Sequence, residues 1–167
     1  MLEKHPFGNF IPANTQYLFL GSFAGKKVYG YDWFYGSKRN QFWAILEEVY
    51  KVSLKTKTDK QDLFKRLRMA ITDIILECER KSNSNLDMNL TNIVFNTKAI
   101  IGILTKNRIR RIYFSSRFVE KLFKRQFSDI IQKFQEIELI TLPSPSLRYA
   151  AISKQEKISK YKQLLPK

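Results

Sequence analysis

Four short apolar runs limit what this chain can fold into: Tyr17-Leu18-Phe19-Leu20, Met69 to Ile75, Arg111-Ile112-Tyr113-Phe114 and Ile137 to Leu142. They are largely continuous rather than alternating, the pattern of strands covered on both faces. Stretches of helical spacing lie between and after them. From Asn40 onward, Phe42, Ile45, Leu46 and Val49 fall on one face. After Ser115-Ser116, the residues Phe118, Val119, Leu122 and Phe123 do the same, and Ile158, Tyr161 and Leu165 form a last stripe. Ser37 or Asn40 can cap the first of these helices, and Ser153 with Glu156 reads as a capping box for the last. Strands alternating with helices predict an α/β domain: a three-layer α/β/α sandwich around a central, mainly parallel four-stranded sheet. A length of 167 residues suits a single domain over 1–167.

The intervening segments are less regular. Lys51 to Lys60 is polar and lysine-rich, the pattern of a solvated excursion, and a short helix is expected over Asp62 to Arg68. Cys78 to Asn89 reads as a polar loop centred on Lys81-Ser82-Asn83-Ser84-Asn85, and a helix is expected from about Asn92 to Thr105. In a parallel sheet the ligand site lies outside the carboxyl ends of the strands. That rule gathers Gly21–Gly25, Cys78–Asn89, Ser115-Ser116 and Pro143–Arg148 at one end of the sheet.

Charge narrows the partner. Thirty Lys and Arg stand against 15 Asp and Glu, a net +15. A polyanion is the partner this suggests, with a lysine-rich compositional bias as the plain alternative. The basic residues are dispersed, which disfavours a membrane surface, and no apolar run reaches 18 residues. Met1 to Asn14 does not have the make-up of a signal peptide, so a cytoplasmic protein is expected; separately, a monomer is the expected state. The one cysteine, Cys78, cannot form a disulfide within the chain or a cysteine-ligated metal centre. With His5 the only histidine, a histidine triad or multi-histidine metal site is not expected. No metal or cofactor is expected, and chemistry would run on carboxylates, amides, hydroxyls, lysine or positioned water.

Several segments combine residues that suit nucleic acid. Phe34 to Trp43 brings aromatics, Lys38, Arg39 and the Asn40 amide together, a mixture that fits stacking on a base and contact with phosphate. Phe42 and Trp43 read as core, and Tyr35 as either a lid on the core or a stacking surface. Asn40 is equally a helix cap. Gly21-Ser22-Phe23-Ala24-Gly25 is a strand-to-loop turn whose backbone N–H groups can hold a phosphate or a base carbonyl; a plain tight turn is the alternative. Pro143-Ser144-Pro145-Ser146-Leu147-Arg148 is a rigid turn with two hydroxyls, an apolar side chain and a cation. Hydroxyls suit phosphate, and Leu147 suits insertion into a base stack. Asp73 reads as a turn or cap residue, with a general base as the alternative.

Taken in order, these segments resemble the uracil-DNA glycosylase superfamily, and within it the hypoxanthine-DNA and mismatch-specific glycosylase branch. The resemblance rests on Gly21-Ser22-Phe23-Ala24-Gly25, on Asn40-Gln41-Phe42-Trp43, on the series Asp73, Cys78, Arg80, Ser84 and Asp87, and on Leu142-Pro143-Ser144-Pro145-Ser146. It spans roughly residues 16 to 165. The chain departs from the superfamily pattern at Ala24 and Lys38, where proline is usual. It has Ser22 and Phe23 where several branches carry a catalytic Asp or Asn, and Leu142 where the uracil-specific members carry a histidine.

The resemblance implies hydrolysis of the N-glycosidic bond of a deaminated base, hypoxanthine or uracil, flipped out of DNA to leave an abasic site. It implies Asn40 as the water-positioning residue. Base contacts would come from Gly21, Ser22, Phe23 and Tyr35, and DNA contacts from Lys38, Arg39, Ser144, Ser146, Leu147 and Arg148. A catalytically inactive nucleic-acid-binding domain on the same fold is the rival reading. Hydrolysis of a free nucleoside or nucleotide is a third.

Overall fold

The computed structural model describes residues 1–24, 30–82 and 86–167; Gly25 of the first glycine turn, and Asn83, Ser84 and Asn85 of the second loop, lie outside them. Four strands make the central sheet: β2 (Tyr17–Gly21), β3 (Met69–Asp73), β6 (Arg111–Phe114) and β7 (Glu138–Thr141). Their order is β3-β2-β6-β7 and every pairing is parallel. All five residues of β3 are buried, as continuous apolar runs require in a sheet covered on both sides.

Side-chain alternation sorts the sheet residues into two cores. Leu18, Leu20, Ala70, Ile112 and Phe114 point to one face, where they meet α3 (Thr97–Lys106) and α4 (Arg117–Gln126). Phe19, Met69, Ile71 and Tyr113 point to the other, against α1 (Phe42–Tyr50), α2 (Lys57–Arg66) and α6 (Lys154–Leu164). The result is the expected α/β/α sandwich. A short α5 (Ser128–Lys133) links α4 to β7.

The structure corrects three expectations. Residues 78–89 are not all loop, and the expected helix at Asn92 starts too early. Ile75–Arg80 forms β4 and Leu90–Phe95 forms β5, which pair antiparallel with each other, and β4 pairs with β1 (Leu2–Lys4). In this second, three-stranded sheet the middle strand, β4, carries Glu77, Glu79 and Arg80, so it gives no apolar run to read. Cys78 is buried in it. The run Met69 to Ile75 therefore belongs to two sheets: after Asp73 the chain leaves the parallel sheet, with Ile74 N–H donating to Gly21 O at 2.8 Å.

The third correction is α2, which begins within the expected lysine-rich excursion. Its signal is the capping box Thr56–Asp59, in which each side chain accepts from the other residue's backbone N–H. Helix α6 has half of such a box: Ser153 Oγ accepts from Glu156 N–H at 3.1 Å. Its buried stripe holds Tyr161, Leu165 and, unexpectedly, Lys157.

Candidate active site

Strand order dictates where a cleft opens. From β2 the chain goes to β3 on one side and later returns to β6 on the other, so the loops after β2 and β6 diverge at their carboxyl ends. A cleft of about 460 Å³ lies there, lined by Ser22 and Phe23 after β2, Asp73 at the end of β3, Ser115 after β6, and Ser144 to Ser146 after β7. The loop before α1 adds Phe34, Tyr35, Arg39 and Asn40, and Asp87 contributes from the 3₁₀ turn Asp87–Asn89. The expected convergence at this end of the sheet is thus realised by the described residues.

Two of the sequence segments are joined directly. Gln41 N–H donates to Pro145 O at 2.8 Å, Leu147 N–H donates to Arg39 O at 2.9 Å, and Asn40 bridges to Ser146 in antiparallel fashion. Buried Lys157 completes the junction from α6, its Nζ donating to Gln41 Oε1 at 3.1 Å and Ser146 O at 3.0 Å. Burial lowers the Lys157 pKa from the usual lysine value. Tyr161, one turn on, donates to Pro143 O at 2.8 Å.

At the rim, small side chains serve their own turns. Asn40 Oδ1 accepts from Phe42 N–H at 2.9 Å, an Asx turn leading into α1; the N-cap position itself is Gln41, with no side-chain cap, so neither Ser37 nor Asn40 is the helix cap expected from the sequence. Its place in the cleft leaves the second lone pair of that oxygen and the amide N–H groups for a ligand. Ser144 Oγ accepts from Ser146 N–H and Ser146 Oγ from Arg148 N–H. Leu147 is half exposed beside Arg148. Lys38 is exposed but outside the cleft lining, whereas the exposed Arg39 lines it.

The floor is different. Tyr35 adopts φ +56°, a left-handed conformation costly for a bulky side chain. Its ring lies 4.3 Å from that of Phe42, centroid to centroid. Its hydroxyl is buried without a hydrogen-bond partner among the described residues. Burial first, and the Asp73 carboxylate second, hold the Tyr35 pKa well above the usual tyrosine value; Ser115 opposes the shift but does not reach hydrogen-bonding geometry. A Cβ placed on Gly21 would stand 2.3 Å from both Asp73 Oδ1 and Tyr35 Oη. Glycine is required there by proximity.

Asp73 is therefore a cleft residue rather than only a turn or cap residue, and His5 enters the site with it. His5 Nε2 lies 2.8 Å from Asp73 Oδ2, with both side chains almost fully buried. The lone histidine, set aside on sequence, is brought in by the segment after β1 and packed among Phe7, Phe23 and Phe34. Nothing in its sequence neighbourhood signals this. Ser22 Oγ donates to Asp87 Oδ1 at 2.8 Å, and burial raises the Asp87 pKa despite that bond. Among the described residues no acceptor meets the backbone N–H groups of Ser22 and Phe23. Three or more His, Cys, Asp or Glu side chains do not cluster as a metal site among the described residues, and no helix is long and apolar enough to cross a membrane.

Fold and cleft together define an α/β/α sandwich with a polar pocket at the carboxyl ends of its parallel strands. Among solved structures, a solution NMR structure of a putative uracil DNA glycosylase from Methanosarcina acetivorans is similar, with a TM-score of 0.71 over 98% of this chain and 96% of that one. Sequence identity is 20%, so the likeness is one of fold. No family model matches the chain, and no curated protein matches it.

Proposed function

We propose that this protein is a monofunctional DNA glycosylase that hydrolyses the N-glycosidic bond of a deaminated base, uracil or hypoxanthine, extruded from DNA. The observation that carries the reading is the joining of the Asn40 loop to the Ser144–Arg148 loop across the mouth of a polar pocket. The fold shared with the archaeal protein and the net +15 support it.

An extruded nucleotide would place its base on the floor and leave its sugar at the rim. Ser144 and Ser146, each with a hydroxyl hydrogen free of its turn role, would hold the flanking phosphates with Lys38 and Arg39. Leu147 and Arg148 would occupy the vacated stack. Tyr35 would pack against the base. Asn40 would orient a water beneath C1′. As the C1′–N bond breaks, its electron pair leaves with the base and the sugar becomes cationic; the water oxygen bonds to C1′ and its proton passes to solvent or base. The N–H groups of Ser22 and Phe23 would receive the departing negative charge. A neutral amide suffices for Asn40 because positioning and electrostatics dominate such a step.

Single-turnover excision on oligonucleotides carrying uracil or hypoxanthine tests the proposal, read as alkali-sensitive strand breaks. Salt-dependent binding with no abasic product would instead establish the inactive binding module, and cleavage of free nucleosides alone the third reading. Asn40→Asp keeps the acceptor for Phe42 N–H, whereas Asn40→Ala loses it at a cost of about 1 kcal/mol. Excision by Asn40→Ala at the wild-type rate would remove Asn40 from the chemistry.

A further inference from the structure

We propose that His5 is a positioning residue for base recognition: it fixes the Asp73 carboxylate so that Oδ1 stands in the cleft as acceptor for an N–H-bearing edge of the extruded base. This rests on the glycosylase reading above.

Hydrogen bonding selects one state of the imidazole. Phe7 N–H donates to His5 Nδ1 at 3.3 Å. Nδ1 is therefore the bare nitrogen, and Nε2 carries the hydrogen that it donates to Asp73 Oδ2 at 2.8 Å. The three phenylalanine rings around the imidazole, at centroid distances of 5.3 to 6.1 Å, leave it little room to turn. One carboxylate oxygen is thus spoken for. The other faces Tyr35 Oη across the space that a Gly21 side chain would fill.

Depth assigns the ligand group. Asp73 is 3% exposed at the end of β3, whereas Asn40 and Ser146 are only half-buried at the rim. The sugar remains joined to the DNA backbone, so the group that reaches Asp73 belongs to the base. An ionised carboxylate only accepts. Uracil and hypoxanthine carry a ring N–H beside a carbonyl, where cytosine and adenine carry a bare ring nitrogen beside an amino group. A carboxylate held in one orientation bonds to the first pair and sets lone pair against lone pair with the second. Rejection of that kind is strong because both groups are left unpaired in a buried site. The Tyr35 hydroxyl, buried and unpartnered among the described residues, is placed to donate to the adjoining carbonyl.

Two measurements test this. Nitrogen NMR of the chain's one histidine reports its tautomer. Hydrogen on Nε2 is expected, and hydrogen on Nδ1 alone overturns the arrangement. His5→Phe keeps the ring packing and removes the donor, while His5→Gln restores a donor. In single-turnover excision of uracil and hypoxanthine, His5→Phe should slow the step about 100-fold and His5→Gln should regain most of that loss. Affinity for DNA bearing an abasic-site analogue should stay within about twofold for both, because the rim makes those contacts. A wild-type rate in His5→Phe, or equal loss in both variants, would overturn the role of His5 alone. A wild-type protein that excises neither base would instead bring down the glycosylase reading, and this role with it.

Discussion

At the rim of the cleft, Ser37, Asn40, Ser144 and Ser146 each accept a hydrogen bond from a backbone N–H two residues on. At the floor, the bonds join residues far apart in the chain: His5 with Asp73 across 68 positions and Ser22 with Asp87 across 65. Behind the floor, Asn96, which also donates to Asp73 O, donates to Asn9 across 87 positions. The rim side chains thus serve their own turns, which backbone bonds and Lys157 then join to one another, whereas the floor exists only when both sheets and the segment after β1 are assembled. Changes at the floor should therefore act on base recognition and on the assembly of the fold, and changes at the rim, Asn40 apart, on DNA contact.

The sharpest way to break this division is Gly21→Ala. Its methyl would meet Asp73 Oδ1 and Tyr35 Oη at 2.3 Å, and neither group is a free-swinging chain end. Excision should fall by about 100-fold or more with binding of undamaged DNA unchanged; a parallel loss of binding, measured by fluorescence anisotropy, would erase the distinction. Lys157→Met, which frees Gln41 and Ser146 O beneath the rim, should cost about 2 kcal/mol in denaturant unfolding. DNA affinity should fall more than the rate at saturation.

Leu147→Ala should slow excision about tenfold on paired substrates, with little change on single strands, because only a duplex has a stack to fill. Equal loss on both would show Leu147 to be a structural residue of the loop. The smallest effect compares two tyrosines. Tyr161→Phe loses its bond to Pro143 O, about 1 kcal/mol, whereas Tyr35→Phe removes a hydroxyl with no partner among the described residues and should leave stability nearly unchanged. Burial raises the folded-state pKa of Tyr35, Tyr50 and Tyr161 above the usual tyrosine value. Stability is intact below about pH 10 and falls as pH climbs beyond it, where the unfolded chain releases protons that the folded one keeps. Melting temperatures across that range should fall less steeply in Tyr161→Phe.

The same contrast explains what could be read from the sequence. The parallel sheet announces itself through apolar runs, and rim motifs such as Asn40-Gln41-Phe42-Trp43 and Pro143 to Arg148 are contiguous and name their own turns. The second sheet escaped because Ile75–Arg80 carries charge at three of its six positions. His5 escaped because its role depends on a partner 68 residues away, and Asp73 looked like a strand-end residue for the same reason. Tyr35 was legible as an aromatic in a loop, but its hydroxyl's place beside Asp73 depends on a backbone conformation that composition does not announce.

Lys157 and Tyr161 fasten all the rim segments to one helix, which itself packs on α1. The mouth of the cleft therefore shares the lifetime of α6. When that helix frays from its seat, Gln41, Pro143 and Ser146 lose their anchors together, while the His5–Asp73 pair, held from β3 and the segment after β1, keeps its own. Amide exchange should accordingly show residues 41 and 146 opening in step with α6, as a unit distinct from the slower-exchanging strands beneath.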